Sequence, residues 1–256
     1  MYDHLEARLH DLFWASEGQS QELPLIEDFL TKHPGPALEL GCGSGRLLFP
    51  LIARGHDMEG LDNSADMIRL CHERCSGKPP LIHHACMEDF DTGSSYAAIS
   101  IPAFTLQLIA PEKVPQVLKN IHTHLQPGGG LYLTTFIPWA EITGELEEGC
   151  WFLDHEALTP EGHTARCHTR FRIQHSAQSL RREHRYEIVD ESGLPLEQSS
   201  SRQNLRWYRL GEMTQLLKDA GFVIEQVIGD FDTGTEPDDQ SQILTLIASR
   251  RADSEL

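Results

Sequence analysis

Apolar positions along the chain recur at two spacings, and the switches between them lay out the elements. Leu5, Leu9, Leu12 and Phe13 fall at helical spacing over residues 2–14, and Leu23, Ile26 and Leu30 over 21–32, which predicts two amphipathic helices. Residues 37–40 form a short apolar run behind Pro34 and Pro36, the pattern of a buried strand. Leu47, Leu48, Leu51 and Ile52 predict a helix stopped at Gly55 and mildly kinked at Pro50. A strand over 56–61 closing on Asp62 follows, then a helix capped by Asn63 and Ser64 with Met67, Ile68, Leu70 and Cys71 along it. Strands over 81–85 and 96–101 come next. A helix through Val114, Val117, Leu118, Ile121 and Leu125 is stopped by residues 126–130, and a strand runs over 131–136. Past residue 209 the alternation resumes with a helix over 211–220 and strands over 222–229 and 243–249. Strands separated by helices predict an α/β fold around a parallel sheet.

Residues 139–209 break that alternation. Ala165, Cys167, Thr169, Phe171 and Ile173 alternate with Arg166, His168, Arg170 and Arg172, the signature of a two-faced strand. A second strand spans 180–189, residues 190–193 make a turn, and a third strand lies near 202–209. The division expected is 1–138, a small antiparallel β insertion over 139–209, and 210–256. The arginine face either recognises an anionic acceptor or is simply solvated. Trp139, Trp151 and Trp207 either wall an acceptor pocket or pack the insertion. Glu141, Glu145, Glu147 and Glu148 either hold a cationic amine or form a charged helix face.

Composition narrows the classes. In 256 residues, 39% hydrophobic, no apolar run approaches the ~20 residues of a membrane span, and the first residues lack a basic-then-apolar leader. A cytoplasmic protein is expected. The formal net charge is −18, from 21 Lys and Arg against 39 Asp and Glu, a balance that argues against a nucleic-acid partner. Six cysteines without a secretory context predict free thiols rather than a disulfide framework. Cys71, His72, Cys75, His83, His84 and Cys86 cluster in sequence, but their spacing on a helix and a strand does not match zinc ligands paired around tight turns. No metal site is expected.

Residues 36–45 carry the strongest chemical signal. Glu39 ends the first strand region, and Gly41, Gly43 and Gly45 follow at alternate positions, allowing angles and an approach that a Cβ forbids. The helix start beyond them directs unsatisfied N–H groups and a positive dipole end into the same crevice. Strand, loop and helix form a nucleotide or cofactor cradle. A dinucleotide fingerprint needs another glycine where Arg46 stands, and Glu39 suits a ligand with amino and hydroxyl donors better than a pyrophosphate. Asp62, about 20 residues beyond the loop, is placed to accept both hydroxyls of a ribose.

Residues 39–45 read Glu-hydrophobic-Gly-x-Gly-x-Gly, and a helix, Leu-x-Pro-Gly-Gly and a strand follow at 114–136. In these the chain resembles the class I S-adenosylmethionine-dependent methyltransferases, of the small-molecule type. The resemblance implies a Rossmann-like, doubly wound seven-stranded sheet of order 3-2-1-4-5-7-6, with the last strand antiparallel. It implies S-adenosyl-L-methionine as cofactor, cradled by Glu39, Gly41, Cys42, Gly43 and Gly45, with its ribose on Asp62. Asn63 and Met67 lie beside the adenosine, Met67 serving equally well as core packing. At the adenine, Cys86 stands where the family often has Asp, leaving the Met87 backbone N–H and Glu88 or Asp89 as partners. The loop from Ile101 to Thr105 is where methyl group and acceptor meet. It lacks the Asn/Asp-Pro-Pro-Tyr and Pro-Cys patterns of base methylation and a magnesium-ligating acid, so metal-free transfer is implied.

The N-terminal helices either pack on the sheet or close over the cofactor, with Tyr2 and Trp14 as lid residues. Phe104, Trp139, Trp151 and Arg170 are the acceptor-side candidates. The catalytic base stays open; His155, His168 and His184 are candidates within the insertion. The expected reaction is in-line methyl transfer to an oxygen or nitrogen of a small molecule, by a monomer or homodimer without membrane partners. The alternatives are a tRNA or protein methyltransferase, a cofactor-binding module without transfer, and an NAD(P) oxidoreductase.

Overall fold

A computed structural model describes residues 4–16, 20–75 and 77–251. The chain divides into two compact units, one of Gln21–Ile137 with Trp207–Leu256, the other of Met1–Ser20 with Pro138–Arg206. Tyr2, a lid candidate, lies outside the described residues.

The larger unit begins with helix α2 (Glu22–Lys32), preceded in the chain by α1 (His4–Ser16) of the other unit. It continues through β1 (Ala37–Leu40), α3 (Leu48–Ala53), β2 (Met58–Asp62), α4 (Ala65–Arg74), β3 (Ile82–His84), β4 (Tyr96–Ile101), α5 (Val114–His124) and β5 (Leu125–Phe136). After the insertion it is completed by α7 (Leu210–Asp219), β10 (Phe222–Gly229) and β11 (Ile243–Arg250). Its seven strands lie in the order β3-β2-β1-β4-β5-β11-β10. β1 pairs in parallel with β2 and β4, and β11 runs antiparallel to both β5 and β10. This is the doubly wound, Rossmann-like order the resemblance implied, with the last strand reversed.

Burial explains why these segments are strands. β1 and β4 are buried at every position, as a sheet covered on both faces demands. Ile26, Phe29 and Leu30 of α2, Leu48 and Leu51 of α3 and Cys71 of α4 share a core with Ala37, Met58, Ala98 and Tyr132 of the strands. α5 buries Val114, Val117, Leu118 and Ile121. No helix among the described residues is long and apolar enough to cross a membrane.

Three local expectations need correction. α3 has six residues and starts at Leu48, so Pro50 falls in its first turn, where an N–H has no helical partner, and does not act as a mid-helix kink. The turn-forming residues 126–130 are taken into β5: Tyr96 pairs with Leu125 and Ala98 with Gly130, so the glycine-rich stretch is an outward bulge on a continuing strand. The insertion holds four strands, not three: β6 (Phe152–Leu158), β7 (Thr164–Gln174), β8 (Ser179–Val189) and β9 (Pro195–Arg206), paired antiparallel in that order. β6 escaped the sequence reading because Leu153, Asp154, Glu156 and Leu158 are all exposed and leave no apolar alternation. β9 ends before Trp207, which is buried in the larger unit.

In the smaller unit α1 lies on the four-stranded sheet. Leu5, Leu9 and Phe13 pack against Ala165, Cys167, Tyr186 and Ile188. The buried Glu6 carboxylate accepts hydrogen bonds from the Tyr186 hydroxyl at 2.9 Å and the Ser201 hydroxyl at 3.0 Å. A short helix α6 (Trp139–Thr143) opens the insertion.

Candidate cofactor site

β1 delivers Glu39 to its carboxyl end, where the chain must leave the sheet. Gly41 and Cys42 both donate their N–H to the Leu61 carbonyl, at 2.7 and 3.0 Å, tying the glycine loop to the end of β2. Gly41 has φ +74°, and a Cβ there would lie 2.5 Å from Thr105 Cγ2; only glycine allows this approach. Gly43 has φ +55° and open space around it, Met67 Sδ at 3.9 Å being the nearest neighbour of a would-be Cβ. Asp62 ends β2 facing this loop. Its Oδ2 accepts the Gly43 N–H at 2.9 Å and its Oδ1 the Ser64 N–H at 2.8 Å. Ser64 caps α4, its hydroxyl accepting the Met67 N–H at 3.4 Å.

Glu39 is the electrostatic anomaly of the site. It is 2% exposed, and its Oε2 has no hydrogen-bond partner among the described residues. Burial pushes its pKa well above the usual carboxylate value, opposed chiefly by the Arg46 guanidinium. A buried acceptor left unpaired costs free energy until a donor arrives.

The other sequence candidates are distributed as follows. Met67 is 1% exposed, and Cys42 is a buried free thiol whose pKa a hydrogen bond with Cys71 and burial raise. The Asn63 carbonyl is 3.3 Å from His84 Nε2. Beyond β3, Cys86 is exposed and Met87 is 6% exposed, its Cε lying 3.1 Å from a Cβ built at Gly41. Glu88 is held by the Lys113 ammonium at 2.6 Å, a bond that lowers its pKa. Ile101, fully buried, ends β4. The Phe104 ring meets Phe136 edge-on, centroids 5.0 Å apart. The structure thus brings Gly41, Gly43, Asp62, Met67 and Met87 together around the glycine loop.

In the smaller unit, Trp139 begins α6. Trp151 carries the Arg170 guanidinium 4.8 Å and the Arg185 guanidinium 3.9 Å from its ring centroid, a cation–π arrangement. Arg170 also binds Glu183 at 2.7 and 3.1 Å, and Arg181 and Arg202 approach the same carboxylate at 3.9 Å. The arginine face therefore neutralises itself in part. Of the acidic run, only Glu141 lies on a helix, buried and bound to Arg182 at 2.5 Å; the other three lie beyond the end of α6. Trp14 donates its indole N–H to His10 at 3.1 Å.

Among the histidine candidates, His155 stacks on Phe13 and His168 lies half-buried on β7. His184 is 6% exposed, its Nδ1 2.8 Å from the Thr169 hydroxyl, which donates to Asp154 Oδ2 at 2.7 Å. Because the hydroxyl proton goes to Asp154, Nδ1 is the donor to Thr169. Asp154, Cys167 and His184 hold ligand-type atoms within 4.8 Å of one another, with Thr169 the hydrogen-bonded hub between Asp154 and His184.

One buried acid near the site escaped the sequence reading. Glu22, the first residue of α2, is 4% exposed and accepts the Ala103 N–H at 3.1 and 3.3 Å and the Thr134 hydroxyl at 2.7 Å. An acid in a first helical turn ordinarily answers the helix dipole, and nothing in the local pattern points to a loop 81 residues away.

With this geometry in view, the comparisons are specific. Residues 37–129 match a family model described as a methyltransferase domain. Over this stretch the chain is similar to the class I S-adenosylmethionine-dependent methyltransferases that its glycine loop resembles. The chain is 32% identical over 126 residues to a carboxy-S-adenosyl-L-methionine synthase of Shewanella piezotolerans, covering 46% of this chain and 52% of that one. It is 28% identical over 145 residues to the dTDP-3-amino-3,4,6-trideoxy-α-D-glucopyranose N,N-dimethyltransferase of Streptomyces venezuelae, covering 54% and 59%. The chain thus spans about half the length of these curated relatives. In fold, the chain resembles an S-adenosylmethionine-dependent methyltransferase from Clostridium acetobutylicum, with a TM-score of 0.79 at 13% identity over 96% of this chain and 98% of that one.

Proposed function

We propose that the protein binds S-adenosylmethionine at the β1–β2 end of its larger unit and transfers the methyl group to an oxygen or nitrogen of a small-molecule acceptor. The observation that carries this reading is Glu39 Oε2, a buried carboxylate oxygen without a partner beside a glycine loop. A cationic amine bearing N–H donors removes its desolvation cost in one contact. Asp62 complements it: its two oxygens accept the Gly43 and Ser64 N–H groups, which fixes the carboxylate at the end of β2, the place from which an acid accepts the paired hydroxyls of a ribose. The space beside Gly43 admits a ligand against the backbone. When bound, the cofactor supplies a methyl group already activated by a sulfonium charge.

The chain's own residues then bind, orient and exclude water. Met67 and Met87 offer apolar surface to an adenosine, with Asn63, Cys86 and Glu88 at the rim. Ile101 and Phe104 border the transfer position. The relatives named for methylating dTDP-linked amino sugars support a nitrogen acceptor of small size, and the net charge of −18 weighs against nucleic acid. A second reading, formation of a carboxylated S-adenosylmethionine, draws support from the 32% identity to a synthase of that name.

Calorimetric titration with S-adenosylhomocysteine, with NADH as control, tests the cofactor. Binding of the first alone supports the reading, and binding of NADH alone overturns it. Incubation with S-adenosylmethionine and a dTDP-linked 3-amino sugar, read by mass spectrometry, tests for a methylated acceptor, and a parallel incubation with a carboxyl donor in place of the sugar (bicarbonate, or an acid that decarboxylates) tests for a carboxylated cofactor.

A further inference from the structure

Ala103 and Phe104, the second and third residues after β4, hold φ of +52° and +62°. Neither is glycine, and consecutive left-handed residues persist only where surrounding contacts impose them. Those contacts are explicit. The Ala103 N–H points at the Glu22 carboxylate, at 3.1 Å from Oε2 and 3.3 Å from Oε1. The Phe104 N–H reaches Thr134 Oγ1 at 3.5 Å, and that hydroxyl donates to Glu22 Oε1 at 2.7 Å. One buried carboxylate therefore holds both strained amides, the second through a threonine. The loop then passes its position on. The Thr105 hydroxyl donates to the Pro102 carbonyl at 2.8 Å, and Thr105 Cγ2 occupies the place a Cβ at Gly41 would need.

We propose that Glu22 is a positioning residue for methyl transfer, clamping the loop at 102–105 so that Thr105 forms one wall of the glycine cradle. This rests on the cofactor reading given above. Every group aimed at the two oxygens is a donor, so the role requires an acceptor at both. An amide supplies one acceptor oxygen and turns an NH2 group toward the remaining donor. A residue that merely fills space at the start of α2 tolerates that near-isosteric change; a clamp does not.

The test is Glu22→Gln in the full chain, followed by amide hydrogen exchange and S-adenosylhomocysteine titration. The expected result is exchange at Ala103 and Phe104 about tenfold faster or more, and an affinity about tenfold or more weaker, the size expected for one charge-assisted hydrogen bond. Protection of the core strands β1 and β4 stays as in the wild type. Unchanged exchange at both amides overturns the clamp, and faster exchange with unchanged affinity overturns the positioning role. A wild-type protein that binds no S-adenosylhomocysteine removes the cofactor reading and the role together, while exchange in the free protein still reports the contact itself. Should Glu22→Gln fail to fold, Thr134→Val removes the bridging hydroxyl alone. It is expected to expose the Phe104 amide to exchange and weaken the affinity, and no change in either overturns the proposal.

Discussion

Glu39 carries a conflict between stability and function that a single substitution exposes. Its pKa is raised by burial, so the folded state holds its proton more tightly than the unfolded chain. Stability from this group is present below the ordinary carboxylate value and is lost as pH rises through the folded value. Glu39→Gln removes that loss: thermal denaturation followed from pH 5 to 8 is expected to show the variant melting higher than the wild type, increasingly so toward pH 8. The same variant is expected to lose S-adenosylhomocysteine affinity by about tenfold or more, since an amide cannot pair with an ammonium as a carboxylate does. Asp62→Ala strips acceptors from the Gly43 and Ser64 amides and is expected to weaken the same titration by about tenfold or more; unchanged binding would move the ribose site elsewhere. Glu39 and Asp62 were legible in the sequence because each closes an apolar strand run. Glu22 was not, because its partners are distant in the chain.

Elements show where local pattern suffices and where it fails. β4 was readable to the residue, since six consecutive buried positions leave no alternative to a covered strand. β6 was invisible, since an edge strand of the four-stranded sheet needs no apolar face. The same sheet carries a pH dependence of its own. Burial pushes the His184 pKa down to about 4 from an ordinary 6.5. The folded state therefore keeps this ring neutral where the unfolded chain protonates it, so stability is present above pH 6.5 and lost as pH falls toward 4. The loss amounts to roughly 3 kcal/mol at about 1.4 kcal/mol per unit. Melting temperatures measured from pH 7 to 4 are expected to fall less steeply in His184→Gln than in the wild type; parallel curves would assign the acid sensitivity to other groups.

At the scale of the molecule, a ligand that binds only the folded state must stabilise it. S-adenosylhomocysteine at 100 times its dissociation constant is expected to add about 2.7 kcal/mol. That is a rise of roughly 5–10 °C in melting temperature for a domain of this size, with NADH producing none. An equal response to both ligands would deny the cradle its selectivity. The sequence by itself determined the strand–loop–helix succession, the glycine loop with Glu39 and Asp62, and, through the family resemblance, the order of the seven strands. These follow from period, turn chemistry and spacing, which are properties of neighbours along the chain. Tertiary structure alone decided that α1 belongs with the four-stranded sheet and that Glu183 gathers Arg170, Arg181 and Arg202. It also decided that Glu22 reaches across to two strained amides. Such pairings depend on which distant groups burial brings together, and a buried charge or amide takes whatever partner the packed fold places within reach.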